Sequence, residues 1–373
     1  MKKEKIIVAI NGLGRIGRAF LRVAKGHPEI DIVAINDLAT LDSISYLVKY
    51  DTVYKQAPFT VEHNGKSLVI DGKEIAYLSE KEPAKLPWKE MNIDVVVEST
   101  GLFTSYEKAK AHLEAGAKRV VITAPIKEEK TQNTETQNPN PKEQQVVYGA
   151  GKTQISQNAE KAEKAETVLL GINEDKLKIC RISSNASCTT NAGSPLIAIL
   201  DEAIGIEKAV LNTVHGYTAS QAIVDGPSKK NLREGRAAAQ NIVPSSTGAA
   251  IATTKAFTKL AGKFDGISIR VPVVIGSIVD ITFIAKRSTT VGEVNEILKK
   301  AATEERWKKI FAVTEEPLVS ADIIGESHAS IADLEMTRVV DGNLVKVLGW
   351  YDNEMGYAHT LVGHVIKAGE RLK

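Results

Sequence analysis

Near the N-terminus, Gly12-Leu13-Gly14-Arg15-Ile16-Gly17 forms a G-x-G-x-x-G pattern that restricts the fold more than any other feature of the chain. It stands between an apolar run, Ile6 to Ile10, and a segment in which Ile16, Phe20 and Val23 recur at helical spacing. Strand, glycine turn and helix in that order predict a dinucleotide-binding βαβ unit, because glycines permit the tight turn and let the backbone approach a pyrophosphate held at the helix N-terminus. A second apolar run, Asp31 to Asn36, ends at Asp37, twenty residues beyond Gly17. A carboxylate there can accept hydrogen bonds from an adenosine ribose. A bound dinucleotide on Gly12, Gly14, Gly17 and Asp37 is therefore expected. Gly151-Lys152-Thr153 resembles the end of a second phosphate loop, but Val146 occupies the position where that pattern needs glycine, and it is set aside.

Further strand candidates, Asp94 to Val97 and Arg119 to Ile122, flank a helical stretch from Tyr106 to Glu114. The alternation implies a doubly wound parallel sheet with crossovers. From about Lys127 to Glu166 the composition turns to Gln, Asn, Thr, Glu and Lys, with almost no apolar residues outside Val146-Val147-Tyr148, and such a segment adds little to a core. A surface excursion is expected there, with at most a hairpin around Val146 to Gly149, a helical turn or two over Asn158 to Ala165, and no part in the chemistry. The runs TVLLGIN and KICRISS then read as strands, Ser194 to Ala203 as a helix. Ala209 to Val214, Ile267 to Val271 and Ser277 to Ala285 are β-rich, Val291 to Ala302 is an amphipathic helix, and Tyr357 to Leu372 a closing helix. The grouping suggests an α/β Rossmann-type domain plus an α+β second domain, which 373 residues accommodate.

Composition excludes several partners. Lys and Arg total 48 against 46 acidic residues, so no basic stripe is available for nucleic acid. No run approaches the ~18 apolar residues of a membrane span, and the N-terminus meets glycines before a signal h-region could form. The two cysteines, Cys180 and Cys188, make no disulfide framework. A soluble cytoplasmic protein without a metal site is expected.

Cys188 lies in the polar cluster Ser183 to Asn191, between an apolar strand and an apolar helix. That puts it near a helix N-terminus, whose unpaired amides and dipole favour thiolate, the nucleophilic form. Cys180, placed inside the strand KICRIS, fits an inert buried thiol. Among the histidines, His215 ends an apolar strand beside Gly216-Tyr217-Thr218, whereas His27, His63, His112, His328, His359 and His364 show no obvious partner. Spacing alone does not pair His215 with Cys188.

INGLGRIGR, ESTGLFT, SNASCTTN, TVHGYT, DGPSKKNLREGRAAAQNIVPSSTGAA, RVP and GWYDNEMGY, in this order, resemble the phosphorylating glyceraldehyde-3-phosphate dehydrogenase family. The resemblance runs from Ile6 to the C-terminal helix and is broken mainly by the polar segment. It implies Cys188 as catalytic thiol and His215 as the base that activates it. It further implies Thr218 and Arg270 for the substrate phosphate, and Ser187, Thr189, Thr247 and Gly248 for the attacking inorganic phosphate. For NAD it implies Arg15 and Ile16 at the pyrophosphate, Asp37 and Thr123 at the two riboses, Lys81 near the adenine and Asn353 at the carboxamide. It also implies a homotetramer, with a Rossmann domain of residues 1–187 closed by 350–373 and a catalytic domain of 188–349. The chemistry that follows is attack of thiolate on the aldehyde of glyceraldehyde 3-phosphate, hydride transfer to NAD, and release of the thioester by phosphate, the Cys188 amide serving as an oxyanion donor.

Two departures stand out. Ala192 replaces the second cysteine that many relatives carry four residues after the nucleophile, and Lys81 replaces an arginine, keeping charge but losing planar stacking. Two rival readings are an erythrose-4-phosphate dehydrogenase, which Ser246-Thr247-Gly248 opposes, and a catalytically silent nucleotide-binding scaffold, which the intact Cys188, His215, Thr218 and Arg270 oppose. Asp37 predicts NAD over NADP, since a 2′-phosphate would meet a like charge; Pro227 points the same way by resemblance.

Overall fold

In the computed structural model, which describes residues 5–127, 164–228 and 231–372, the N-terminal half builds a nine-stranded sheet. β1 (Ile6–Asn11) passes through the glycine turn into α1 (Arg15–Ala24), and β2 (Ile30–Asn36) is followed by α2 (Leu41–Lys49) and the short hairpin of β3 (Tyr50–Asp51) and β4 (Lys55–Gln56). Then come β5 (Val61–His63), β6 (Ser67–Ile70), β7 (Lys73–Leu78), β8 (Val95–Glu98), α3 (Tyr106–Glu114), β9 (Arg119–Ile122), β10 (Glu166–Thr167) and β11 (Ile182–Ser184). The strand order is β10-β11-β9-β8-β1-β2-β7-β6-β5, parallel as far as β7 and antiparallel beyond it. Val8, Ala9 and Ile10 in the central strand are wholly buried, as a sheet covered on both faces requires. The carboxyl ends of β1, β2, β8 and β9 face one crevice, and there a doubly wound sheet binds its ligand.

The second half folds around α4 (Cys188–Ile204), β12 (Ile206–Gly216), β13 (Val243–Ser246), α5 (Ala249–Ala256), β14 (Phe264–Val271), β15 (Ser277–Ala285), α6 (Val291–Thr303), β16 (Phe311–Thr314), β17 (Ser330–Val340) and β18 (Leu344–Tyr351). Its seven strands order as β13-β14-β12-β15-β18-β17-β16 in a mixed sheet. β15 alternates strictly, so Val279, Ile281 and Phe283 point inward and pack with Leu196, Ile197 and Leu200 of α4. Each such side chain contributes about 1.5–3 kcal/mol by burial. The last helix, α7 (Met355–Glu370), crosses back: Tyr357, Leu361, Val362 and Val365 share a core with Ile6, Ile10 and Val97. Among the described residues no helix is long and apolar enough to cross a membrane.

Three readings need correction. Val168–Asn173 forms no strand, because Asn173 folds the segment on itself: its Oδ1 accepts from the Leu169 amide (2.8 Å), its Nδ2 donates to the Thr167 carbonyl (2.9 Å), and Gly171 turns at φ 76°. Only Ile182–Ser184 of KICRISS pairs, so Cys180 lies ahead of the strand, where it is buried with its carbonyl bound by Arg119 (2.8 Å). Burial pushes its thiol up to about 11. α4 begins at Cys188, ahead of the apolar periodicity that starts at Ser194. The hairpin expected at Val146–Gly149 lies outside the described residues, as do the helical turns of Asn158–Ala165 apart from Lys164 and Ala165, which are not helical.

Candidate active site

The crevice is assembled from backbone. Gly12 sits at φ 93°, a left-handed conformation that side chains resist, and a Cβ there would lie 2.8 Å from the Thr100 amide nitrogen. A Cβ on Gly17 would be driven into the Gly12 carbonyl, whereas one on Gly14 would meet nothing within 4 Å, which leaves an open approach to the turn. No side chain caps α1 at Gly14, so the amides of its first turn have no acceptor within the helix. The Ile16 side chain packs into the first core. A cradle of exposed amides at a helix N-terminus suits a pyrophosphate. Asp37 closes the mouth, its Oδ2 accepting from the Leu13 amide at 2.7 Å and its Oδ1 from Ala39 at 2.9 Å. Thr123 follows β9, its amide bound to the Glu98 carbonyl (3.0 Å). Lys81 is exposed in the loop after β7, next to Glu80, which is tied to Asn36.

Beneath the turn a buried carboxylate braces the loop. Glu98 accepts from Asn11 Nδ2 at 2.6 Å, from the Thr100 amide at 2.9 Å and from the Thr100 hydroxyl. His112 completes the set. Its Nδ1 accepts from Trp88 Nε1 (3.1 Å), which leaves the proton on Nε2 to donate to Glu98 at 3.0 Å.

The Arg15 side chain does not reach into the crevice. Its guanidinium is held by Glu354 and, at 3.1 Å, by Asp51, so only its backbone is placed for a pyrophosphate. That ion pair, with Tyr54 on Asp352 (2.8 Å), pins both neighbours of Asn353. Asn353 Oδ1 accepts from Ser277 Oγ (3.1 Å) and the Gly276 amide (3.3 Å), and its Nδ2 remains as the donor.

Cys188 is the first residue of α4. Ser187 caps the helix, its Oγ accepting from the Thr190 amide at 3.1 Å. Ala186 before it takes a left-handed φ of 55°, and neighbouring polar groups hold that turn: Ser184 Oγ accepts from its amide, Tyr357 donates to its carbonyl, and Asn191 Nδ2 donates to the carbonyls of Asn185 and Ser187. The half-buried thiol packs against both cores, at the junction of the two sheets. Its Sγ lies 3.5 Å from Nε2 of His215, at the end of β12. Opposite His215 in register on β14 stands Arg270, with Nη1 2.7 Å from His215 Nδ1.

Two family models match this chain: the glyceraldehyde 3-phosphate dehydrogenase NAD binding domain over residues 6–106 and the glyceraldehyde 3-phosphate dehydrogenase C-terminal domain over 187–353. The chain belongs to the glyceraldehyde-3-phosphate dehydrogenase family. It is 45% identical to the glyceraldehyde-3-phosphate dehydrogenase of Thermotoga maritima, with 95% of this chain and 96% of that protein covered. Over the same shares it is 43% identical to the Geobacillus stearothermophilus protein of that name. With glyceraldehyde-3-phosphate dehydrogenase 3 of Saccharomyces cerevisiae it shares 40% identity over 97% of this chain and 99% of the relative. The cofactor of the N-terminal domain is NAD.

Electrostatics at the thiol differ from the expectation drawn from the helix N-terminus. Burial pushes the Cys188 thiol above its usual range, against Arg270 and the first-turn amides, which pull it down. Burial and the Arg270 charge lower His215 to about 3.

The remaining residues fall into two groups. Thr189 is buried with its hydroxyl 2.9 Å from Tyr351 Oη, which also lies 2.8 Å from Thr213 Oγ1, and the Ser187 hydroxyl meets Thr190 Oγ1 at 2.7 Å. Thr218 follows β12 with its hydroxyl on Ser220 Oγ (3.0 Å), while Thr247 and Gly248 lead into α5, Thr247 Oγ1 accepting from the Ala249 amide (3.2 Å). No direct bond joins Thr218 or Thr247 to Cys188. The sequence reading missed Tyr351, whose ring lies edge-on to His215 with the ring centres 5.9 Å apart, and Glu98, although GWYDNEMGY and ESTGLFT contain them. Of the other histidines, His27, His63 and His328 pair with carboxylates, and His112 and His364 sit in buried hydrogen-bonded networks.

Proposed function

We propose that this site oxidises D-glyceraldehyde 3-phosphate to 1,3-bisphosphoglycerate, with Cys188 as nucleophile and His215 as its base. The enzyme class and cofactor follow from the family: the chain is an NAD-dependent glyceraldehyde-3-phosphate dehydrogenase. The observation that carries the assignment of roles is the 3.5 Å contact between Cys188 Sγ and His215 Nε2 at the head of α4, where the two sheets meet. Thiolate adds to the aldehyde carbon, with the Cys188 amide in the first turn of α4 as donor to the developing oxyanion. His215, carrying the proton taken from Cys188, gives it to that oxyanion to form the hemithioacetal hydroxyl, and takes it back as hydride leaves the same carbon and the carbonyl of the thioester forms. NAD, when bound, supplies the hydride acceptor. Phosphate then releases the thioester as an acyl phosphate.

Around that centre, Arg270 and Thr218 hold the substrate phosphate, and Ser187, Thr189, Thr247 and Gly248 the attacking phosphate. The amides of Arg15 and Ile16 hold the pyrophosphate with Gly12, Gly14 and Gly17, Asp37 and Thr123 meet the riboses, Lys81 the adenine edge, and Asn353 Nδ2 the carboxamide oxygen. Residues 1–187 with 350–373 form the cofactor domain and 188–349 the catalytic one. We place the enzyme in the cytoplasm as a homotetramer. Ile223, Val224, Leu232 and Ile242, each more than 70% exposed, support burial against another copy.

Mixing the enzyme with NAD and glyceraldehyde 3-phosphate in the absence of inorganic phosphate should leave an acyl group on Cys188, read by peptide mass spectrometry. Label on Cys180, or none, would overturn the assignment.

A further inference from the structure

We propose that Glu98 is a remote positioning residue for the adenine half of NAD: its ionised carboxylate fixes which way the amides of Asn11 and Asn36 face, and through them clamps the loop after β7 that carries Lys81. The proposal rests on the assignment of the crevice to NAD given above. Its ground is one row of the sheet. Leu78, Asn36, Asn11 and Glu98 lie side by side in register at the carboxyl ends of β7, β2, β1 and β8. The three polar members are buried, as are His112 and Trp88 behind Glu98. Hydrogen bonds along the row run in one direction. The Glu80 amide donates to Asn36 Oδ1 (2.8 Å), Asn36 Nδ2 to Asn11 Oδ1 (2.7 Å), and Asn11 Nδ2 to Glu98 Oε2 (2.6 Å). From the other side the Trp88 indole donates to His112, and His112 to the same Oε2. The Thr100 amide and hydroxyl meet Oε1.

Both ends of this chain are groups that only donate, a backbone amide and an indole, so neither end allows its polarity to be reversed. The residue where the two runs meet must accept on every side. An ionised carboxylate does so; a carboxamide or a protonated acid does not. The consequence reaches the cofactor. A donor turned toward Asn11 from position 98 would make the Asn11 amide flip to present its oxygen, and Asn11 Nδ2 would then face Asn36 Nδ2. A flip of Asn36 in turn would set its Nδ2 against the Glu80 amide. It would also set its Oδ1 against the Glu80 carbonyl, which Asn36 Nδ2 now holds at 2.9 Å. Both side-chain bonds at Glu80 would be lost, and Lys81 is the next residue. Glu98 thus acts on the adenine loop across two intervening strands, β1 and β2, by the direction of its hydrogen bonds. A loop held in place before the ligand arrives does not have to be ordered on binding.

The test titrates AMP into the full-length enzyme by calorimetry. AMP lacks the nicotinamide half, so changes around Thr100 do not enter. Glu98→Gln, nearly isosteric, should weaken AMP about tenfold, the scale of one lost hydrogen bond. Asn36→Ala, which cuts the row, should weaken it about as much. In the Asn36→Ala background, adding Glu98→Gln should change AMP affinity by less than about twofold, because nothing remains to carry the flip. Parental AMP affinity in either single variant overturns the proposal. So does a loss from Glu98→Gln of the same size with and without Asn36, the additive result expected of a carboxylate that only stabilises the fold. If Glu98→Gln does not fold, Asn11→Ala cuts the same row one residue nearer the loop and is read by the same criteria, in the parent and in the Asn36→Ala background. Failure of the cofactor reading itself would look different: AMP and NAD that do not compete for the parent enzyme.

Discussion

Replacing Gly17 by alanine should damage the cofactor site far more than the fold. In a helix the exchange itself is favourable by about 1 kcal/mol. Against it, the new Cβ runs into the Gly12 carbonyl, with Ser99 Oγ at 3.1 Å and the Gly12 carbonyl carbon at 3.2 Å, and backbone must shift to make room. Overpacking of that kind costs about 1–3 kcal/mol. The two largely offset, leaving about 0–2 kcal/mol of destabilisation and a fall in Tm of at most about 8 °C. The shift falls on the turn that presents the first-turn amides of α1. Losing two charge-assisted hydrogen bonds at about 1.5–3 kcal/mol each weakens NAD by at least about a hundredfold. Gly14→Ala is the control: its Cβ meets nothing within 4 Å and its φ of −63° suits any residue, so Tm should stay at the parental value. Loss of NAD affinity in Gly14→Ala then reports the ligand's own close approach. Thermal unfolding by circular dichroism and NAD titration by calorimetry read both quantities. A Gly17→Ala protein that melts early yet binds NAD with parental affinity would refute the reasoning.

Cys188→Ser should abolish turnover and leave NAD binding intact, and His215→Asn should slow acylation by about 10²–10⁴-fold; substantial turnover in the first or a parental rate in the second would contradict the assigned roles. Asp37→Ala should narrow the preference for NAD over NADP, and a parental enzyme whose kcat/KM favours NADP would show that the carboxylate does not face the ribose. His215 and His364 are both lowered by burial to about 3 from 6.5. A depressed folded value contributes stability that is fully present above pH 6.5 and is lost as pH falls toward 3. Each histidine should therefore cost roughly 2 kcal/mol at pH 5, and His364→Gln should lose stability less steeply than the parent in urea unfolding at pH 7, 6 and 5. Stability that stays flat between pH 7 and 5 would contradict this.

The parts of the site that were legible are those built locally. Gly12 to Gly17 announce themselves because turn, helix start and close approach all need glycine within six residues, and Asp37 follows at the end of the adjacent strand. Cys188 was readable as lying near a helix start because the polar cluster around it separates an apolar strand from an apolar helix, although α4 begins earlier than its apolar period suggests, with the polar first turn Cys-Thr-Thr-Asn. Illegible were contacts that only the tertiary fold creates. His215 meets Cys188 across 27 residues through a strand crossing, and Arg15 meets Glu354 across 339. Val168 to Asn173 misled because its apolar run reads like a strand, and Val168 and Leu169 are indeed buried, while the Asn173 side chain folds the segment on itself. Tyr351 was passed over because its role lies in a hydroxyl shared between Thr189 and Thr213, which nothing along the chain encodes.

The central claim is that a Cys188 thioester is resolved by phosphate, and steady-state NAD reduction with glyceraldehyde 3-phosphate, measured with and without inorganic phosphate alongside product analysis, tests it directly. Without phosphate the enzyme should make one NADH per site and stop; with phosphate it should turn over, forming one acyl phosphate for each NADH. Sustained NADH production without phosphate, with 3-phosphoglycerate as the product, would mean that water resolves the thioester and would contradict the account.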